Sequence, residues 1–186
     1  MQGSIFTAFS DMVIDKMGMD EWNELLEKTE PESQGVYTSG EQYEDSELVN
    51  MVVALSEKTG IAPEKLIQAF GKYLFKSLYD NCPADVSAIS NLRDFLLSIH
   101  SVIHVEVQRL HPNAYLPVFE YEDGEGTDLI MYYSSKRKLC HASVGLIYGA
   151  AQKFNEKITV THPECMHTGK DRCKLVIKFM GESDAT

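Results

Sequence analysis

Five side chains in one stretch of the sequence have the types and spacing of a binding site. His104 ends the apolar face of a helical segment, Pro117 follows thirteen residues later, and Tyr133-x-Ser135-x-Arg137 closes the stretch. Alternate positions on a strand share a face, so two hydroxyls and one guanidinium would point the same way. Arg137 offers a planar fork suited to a carboxylate, and the hydroxyls add single hydrogen bonds. One imidazole, an apolar slot and donors for two carboxylates make up the inventory a haem requires. Taken singly, His104 also reads as a hydrogen-bonded core histidine, and Tyr-x-Ser-x-Arg as a solvated strand face. His100, four residues before His104, opens a third reading as a two-histidine metal pair, but the acid of an HExxH motif is missing.

A second group is Cys140, His162, Cys165 and Cys173, the last three within HPECMHTGKDRC. Three cysteines and one histidine form a common structural zinc set. The alternative is three reduced, unligated thiols beside a hairpin, and His167 is an alternative ligand to His162. Cys82 stands apart and reads as a plain thiol.

The elements that must position these residues are legible from periodicity. Apolar residues recur at helical spacing over 4–18, 20–29, 45–59 and 62–79, with Asp45 or Ser46 as a cap, Pro63 in a first turn, and Gly18 and Gly60 as stops. The helical pattern resumes from Val86 to Leu110, with Leu92, Leu96, Ile99, Ile103 and Leu110 as one stripe. After Pro117 the period changes to two. VFEYE and LIMYYSS flank a turn at Asp123-Gly124-Glu125-Gly126, which predicts a hairpin. Residues 141–155 read as a helix whose Gly145, Gly149 and Ala150 permit close approach, and KITVTH and KLVIKFM as two further strands. The fold class is α+β: a helical N-terminal half packed on a C-terminal, mostly antiparallel sheet with one inserted helix, and the haem suggested above would lie between the two.

Composition narrows the function. Seventeen basic and 28 acidic residues give a net charge of −11, which argues against a nucleic-acid partner because phosphate neutralisation needs clustered cations. No apolar run is long enough to span a membrane, and Met1–Gly18 lacks the basic start of a signal peptide, so a cytoplasmic protein with reduced thiols is expected.

The spacing of His104, Pro117 and Tyr133-x-Ser135-x-Arg137, together with the start MQGSIF, resembles the haem nitric oxide/oxygen binding (H-NOX) family, which includes the sensor domain of soluble guanylate cyclase. The resemblance covers about residues 1–180. It implies a single haem-binding domain, with a distal helical part over about 1–60 and a proximal part over about 61–180, and leaves 181–186 as a tail. His104 would then ligate a ferrous haem b, Tyr133, Ser135 and Arg137 would hold its propionates, and Pro117 would press on the porphyrin. Ile5, Phe9, Leu74, Leu78 and Leu146 would wall the pocket. Oxygen-binding members carry a distal tyrosine five residues after the arginine. That position is Ala142 here, and its partners Phe9 and Leu74 have no donor, so the resemblance implies an NO sensor that excludes O₂. Either Tyr148 or His141, close by in sequence, would upset this if turned inward. Some bacterial members bind zinc at a pattern like Cys140, His162, Cys165 and Cys173, which adds a zinc and thiol input.

By the same resemblance, NO binding weakens the bond to His104 and releases its helix. The output then passes to a separate signalling protein such as a histidine kinase or a cyclic-di-GMP enzyme. The chain is read as a sensor and not an enzyme. The competing reading is a zinc-stabilised thiol redox module without haem sensing.

Overall fold

The computed structural model describes residues 1–126 and 128–180, so Thr127 of the hairpin turn and the 181–186 tail lie outside the described residues. Four helices open the chain: α1 (Gly3–Met17), α2 (Met19–Thr29), α3 (Asp45–Thr59) and α4 (Pro63–Asp80). Their stops follow the punctuation of the sequence. Gly18 and Gly60 have φ of 98° and 70°, a region open to glycine at little cost, and Pro63 supplies a preset φ at the start of α4. The connection between α2 and α3 is tied down by Glu47, whose carboxylate accepts from the Ser33 hydroxyl at 2.6 Å and the Tyr37 hydroxyl at 3.0 Å.

The expected helix over 86–110 is shorter and is broken. It starts at Leu92 because the Asn91 side chain accepts from the Asp94 N–H at 2.8 Å, an N-cap bond. After α5 (Leu92–Ser98) the chain winds as a π-helix over Ile99–Ile103 before returning to α-geometry in α6 (His104–Leu110). Leu110, placed on the buried stripe by its spacing, is 60% exposed and lines the cavity described below.

Strands β1 (Val118–Asp123) and β2 (Leu129–Ser134) form the hairpin. Next come α7 (Cys140–Lys153), β3 (Ile158–Glu164), a short 3₁₀ turn and β4 (Cys173–Phe179). The sheet order is β1-β2-β4-β3, with every neighbouring pair antiparallel. Period-two burial puts Leu129, Met131 and Tyr133 of β2 on the inner face with Cys173, Leu175 and Ile177 of β4. The chain is thus α+β, with helices on one face of an antiparallel sheet.

Two apolar cores result. One joins α1, α2 and α3 to the first half of α4, through Phe6, Phe9, Leu25, Met51, Leu55 and Phe70. The other joins the sheet's inner face to α5, α7 and the end of α4, through Phe75, Phe95 and Ile147. Helix α4 therefore belongs to both, and Leu146 of α7 packs against both. The α4–α7 contact is close because a Cβ on Gly145 would lie 2.0 Å from the Gln68 carbonyl oxygen, and one on Gly71 2.1 Å from that of Ala142. Among the described residues no helix is long and apolar enough to cross a membrane.

Candidate functional site: a cavity between the helical half and the sheet

A cavity of about 1090 Å³ lies between the two cores. Small-molecule sites usually enclose about 300–1000 Å³, so the space suits a large flat group. His104, Pro117, Tyr133, Ser135 and Arg137 all line it, as do Ile5, Leu74, Ala142 and Leu146. Leu78 also lines it and is 42% exposed. Phe9 is a correction to the expected lining. It is fully buried one layer back, with its ring edge-on to Phe70 at 5.3 Å, because its position on α1 faces α4 and not the cavity.

His104 is delivered by the start of α6. Its Nδ1 is buried with no hydrogen bond of normal geometry. Burial, then the nearby His100, lowers its pKa to about 4 against the opposing pull of the Pro117 carbonyl. The ring is therefore neutral at physiological pH, the form that ligates metal. His100 is exposed, so the two histidines do not make a buried metal pair.

Tyr133 and Ser135 are 2% and 6% exposed, respectively. The three clamp residues do not share a strand face, as alternation suggested. β2 ends at Ser134, its pairing with β4 stopping at Tyr133 and that with β1 at Ser134, and Ser135 and Arg137 lie in the turn beyond it. The turn brings them together, with the Arg137 N–H donating to Ser135 Oγ at 3.2 Å. Arg137 Nε donates to Asp45 Oδ2 at 2.6 Å, and Nη1 to the Tyr115 carbonyl at 2.7 Å. Asp45, expected as a helix cap, is instead the first residue of α3, with Glu44 at the cap position, and its carboxylate also meets the Met1 ammonium at 2.8 Å.

Three participants escaped the sequence reading. Phe119 stands between the histidine and the clamp, 5.6 Å from His104 and 5.7 Å from Tyr133, ring to ring. Its signal was its place two residues after Pro117, on the inward parity of β1. Tyr115 stacks under Arg137 and accepts from the Lys136 N–H at 2.9 Å, fixing the clamp turn. Asp45 had no local signal, since its partner is 92 residues away.

Behind the clamp, one ligand atom each from Cys140, His162, Cys165 and Cys173 lies within 4.8 Å of the others. Cys140 and Cys165 sulfurs are 3.7 Å apart, and Cys165 and Cys173 sulfurs 3.9 Å. Nε2 of His162 is buried without a partner. The alternative ligand His167 is already bonded to the Lys138 carbonyl at 2.7 Å. Tyr133 pairs directly with Cys173 across β2 and β4, so the clamp and the cysteine cluster are neighbours in the sheet.

A family model described as haem-NO-binding matches residues 2–162. The chain belongs to this family. Solved H-NOX structures superpose over nearly all of it. The ferrous NO form of an H-NOX protein from S. oneidensis is 37% identical with a TM-score of 0.90, covering 97% of this chain and 100% of that one. The unliganded ferrous form from K. algicida is 31% identical with a TM-score of 0.88, covering 98% of each. The guanylate cyclase soluble subunit beta-2 of Rattus norvegicus is 32% identical over an alignment of 99 residues that covers 49% of this chain and 14% of that subunit. The H-NOX family binds haem. The residues present fit that group: the His104 imidazole, kept neutral by burial, lines a large cavity together with the Tyr133 and Ser135 hydroxyls and the Arg137 guanidinium, which can donate to carboxylates.

Proposed function

We propose that this H-NOX domain senses NO selectively over O₂ and passes the signal to a separate protein. What carries the reading is the convergence of His104 and of Tyr133, Ser135 and Arg137 on one cavity. Haem bound there supplies a ferrous iron able to take up a diatomic gas. His104 would hold the iron, the two hydroxyls and the Arg137 guanidinium would hold the propionates, and Pro117 would lie against the porphyrin. A guanidinium has five N–H donors, of which two are engaged by Asp45 and Tyr115, so Arg137 keeps capacity for a carboxylate.

Selectivity is supported by the wall. Ile5, Leu74, Ala142 and Leu146 carry no side-chain donor, and the Thr7 hydroxyl is bonded to the Gly3 carbonyl at 3.1 Å. Tyr148 does not line the cavity; its hydroxyl accepts from the Val160 N–H at 3.1 Å. His141 faces His162 and His167, with ring centroids 5.4 and 6.0 Å away. Besides Tyr115 and Tyr133 beside Arg137, the phenols of Tyr73 and Tyr79 line the cavity, and their Phe variants are the first to make should the wild type hold O₂.

The cysteine cluster supports a second element of the reading, a structural zinc held by Cys140, His162, Cys165 and Cys173. Four protein ligands close the site to substrate, which favours a stabilising and thiol-sensing role. A zinc-only redox module would leave the cavity and His104 without a use. The partner is a signalling protein such as a histidine kinase or a cyclic-di-GMP enzyme, and binding of NO is expected to change its activity.

The haem assignment is tested by titration. The wild type should take up one equivalent of haem with a Soret band. His104→Gly should do so only when imidazole is supplied. Equal uptake by His104→Gly without imidazole would remove His104 from the site.

A further inference from the structure

The helix that carries His104 contains a π-turn that its own sequence does not explain. Ile99-His100-Ser101-Val102-Ile103 has neither proline nor glycine, and an uninterrupted α-helix would bond the His100 N–H to the Leu96 carbonyl. Instead the Leu96 carbonyl receives the Ile99 N–H, three residues on, and the Tyr121 hydroxyl at 2.7 Å, and the His100 N–H interacts with the same phenolic oxygen. The phenol thus occupies the gap in the ladder. Downstream of it the His104 N–H bonds to the Ile99 carbonyl, five residues back and not four.

Tyr121 is well fixed for this task. It pairs with Met131 in the middle of the β1–β2 ladder and packs on the sheet-side core. Two residues earlier on the same strand, Phe119 touches the His104 ring. Strand β1 therefore grips the helix at two heights, once on the backbone and once on the imidazole.

We propose that the Tyr121 hydroxyl is a wedge that holds the Ile99–Ile103 turn open and thereby sets the rotation at which His104 enters the cavity. A π-turn accommodates one extra residue, and one residue of an α-helix is about 100° of rotation. Closing the turn would swing His104 by that order, away from the cavity and from Phe119. Tyr121 is a positioning residue: it acts on His104 through the backbone and lies outside the pocket lining. The inference rests on the reading of His104 as the haem ligand.

The test is Tyr121→Phe, which removes one oxygen, examined in the haem-loaded ferrous protein. The expected result is a shifted or lost iron–histidine stretching band in the resonance Raman spectrum. Deleting Val102, which is 44% exposed, in the Tyr121→Phe background should return the band to its wild-type position. The deletion makes the Ile99–His104 bond an ordinary α-helical one and restores the register. Should Tyr121→Phe alone fail to fold, the same deletion is expected to rescue it. An unmoved band in Tyr121→Phe, or no rescue by the deletion, would overturn the wedge. A wild type without a Soret band would overturn the haem reading instead. The wedge would then be read by NMR in that protein, where Tyr121→Phe should replace contacts five residues apart over 99–104 by contacts four apart, and retention of the wild-type pattern would refute it.

Discussion

Arg137 and Asp45, 92 residues apart, meet with Nε to Oδ2 at 2.6 Å, and the same carboxylate receives the Met1 ammonium at 2.8 Å. One acidic side chain at the start of α3 thus joins the helical half to the Arg137 guanidinium in the turn beyond β2. Through this link a change in what Arg137 holds is expected to reach the N-terminal helices.

The two partners should separate in their effects. Arg137→Ala removes a carboxylate donor and is expected to speed haem loss, measured by transfer to an excess of apomyoglobin. Asp45→Asn leaves the donor in place and should retain haem nearly as well. Because Asp45 is 41% exposed, solvent screening keeps its effect on stability to about 1 kcal/mol or less. Equal haem loss in both variants would mean that the intact Arg137–Asp45 pair, and not the Arg137 donor by itself, controls retention.

Acid should weaken the same link. Burial alone would raise the Asp45 carboxyl, but hydrogen bonds and charge from Arg137 and the N-terminus outweigh it and hold it below the usual carboxylate value. The folded state therefore binds this proton less readily than the unfolded chain. Its contribution is full above the unfolded carboxylate value, near about 4, and is lost as pH falls from there through the lowered folded value. Urea melts at stepped pH should show a shallower decline for Asp45→Asn below about pH 4 than for the wild type.

Zinc removal should be costly. Cys140 and Cys173 are fully buried, and the four ligands join the start of α7 to the β3–β4 connection. The purified protein is expected to carry one zinc per chain by elemental analysis. Cys173→Ser should abolish it and lower the melting temperature by roughly 5 °C or more. Full zinc in Cys173→Ser would assign the metal elsewhere. Because Tyr133 pairs with Cys173, the variant should also perturb the Soret band.

The α4–α7 contact has no room for a methyl group. Gly145→Ala would set its Cβ 2.0 Å from the Gln68 carbonyl oxygen, a backbone atom that yields only if the helices part. A loss of about 1–3 kcal/mol is expected in denaturant melts. A neutral effect would show that this contact is looser than the geometry indicates.

Much of this was legible because it is local. Helix stops at Gly18 and Gly60, the start at Pro63, the hairpin around Gly124 and the small faces of Gly145 and Gly149 each follow from nearby residues. The spacing of His104, Pro117, Tyr133, Ser135 and Arg137 identified five residues that do line one cavity. What was not legible depends on distant partners. The π-turn before His104 coincides with a hydroxyl from β1, the Arg137–Asp45 pair spans half the chain, and Phe9 faces Phe70 and not the cavity because of how α1 rolls on α4. Alternation in Tyr133-x-Ser135-x-Arg137 suggested a strand that in fact ends at Ser134.

The most direct measurement is the absorption spectrum of the reduced protein under nitrogen, in air and with NO. The account predicts a Soret band under nitrogen, the same band in air on the time scale of the measurement, and a distinct spectrum with NO. A stable new spectrum in air would contradict the exclusion of O₂ by the Ile5, Leu74, Ala142 and Leu146 wall, and a colourless protein would contradict the haem site itself.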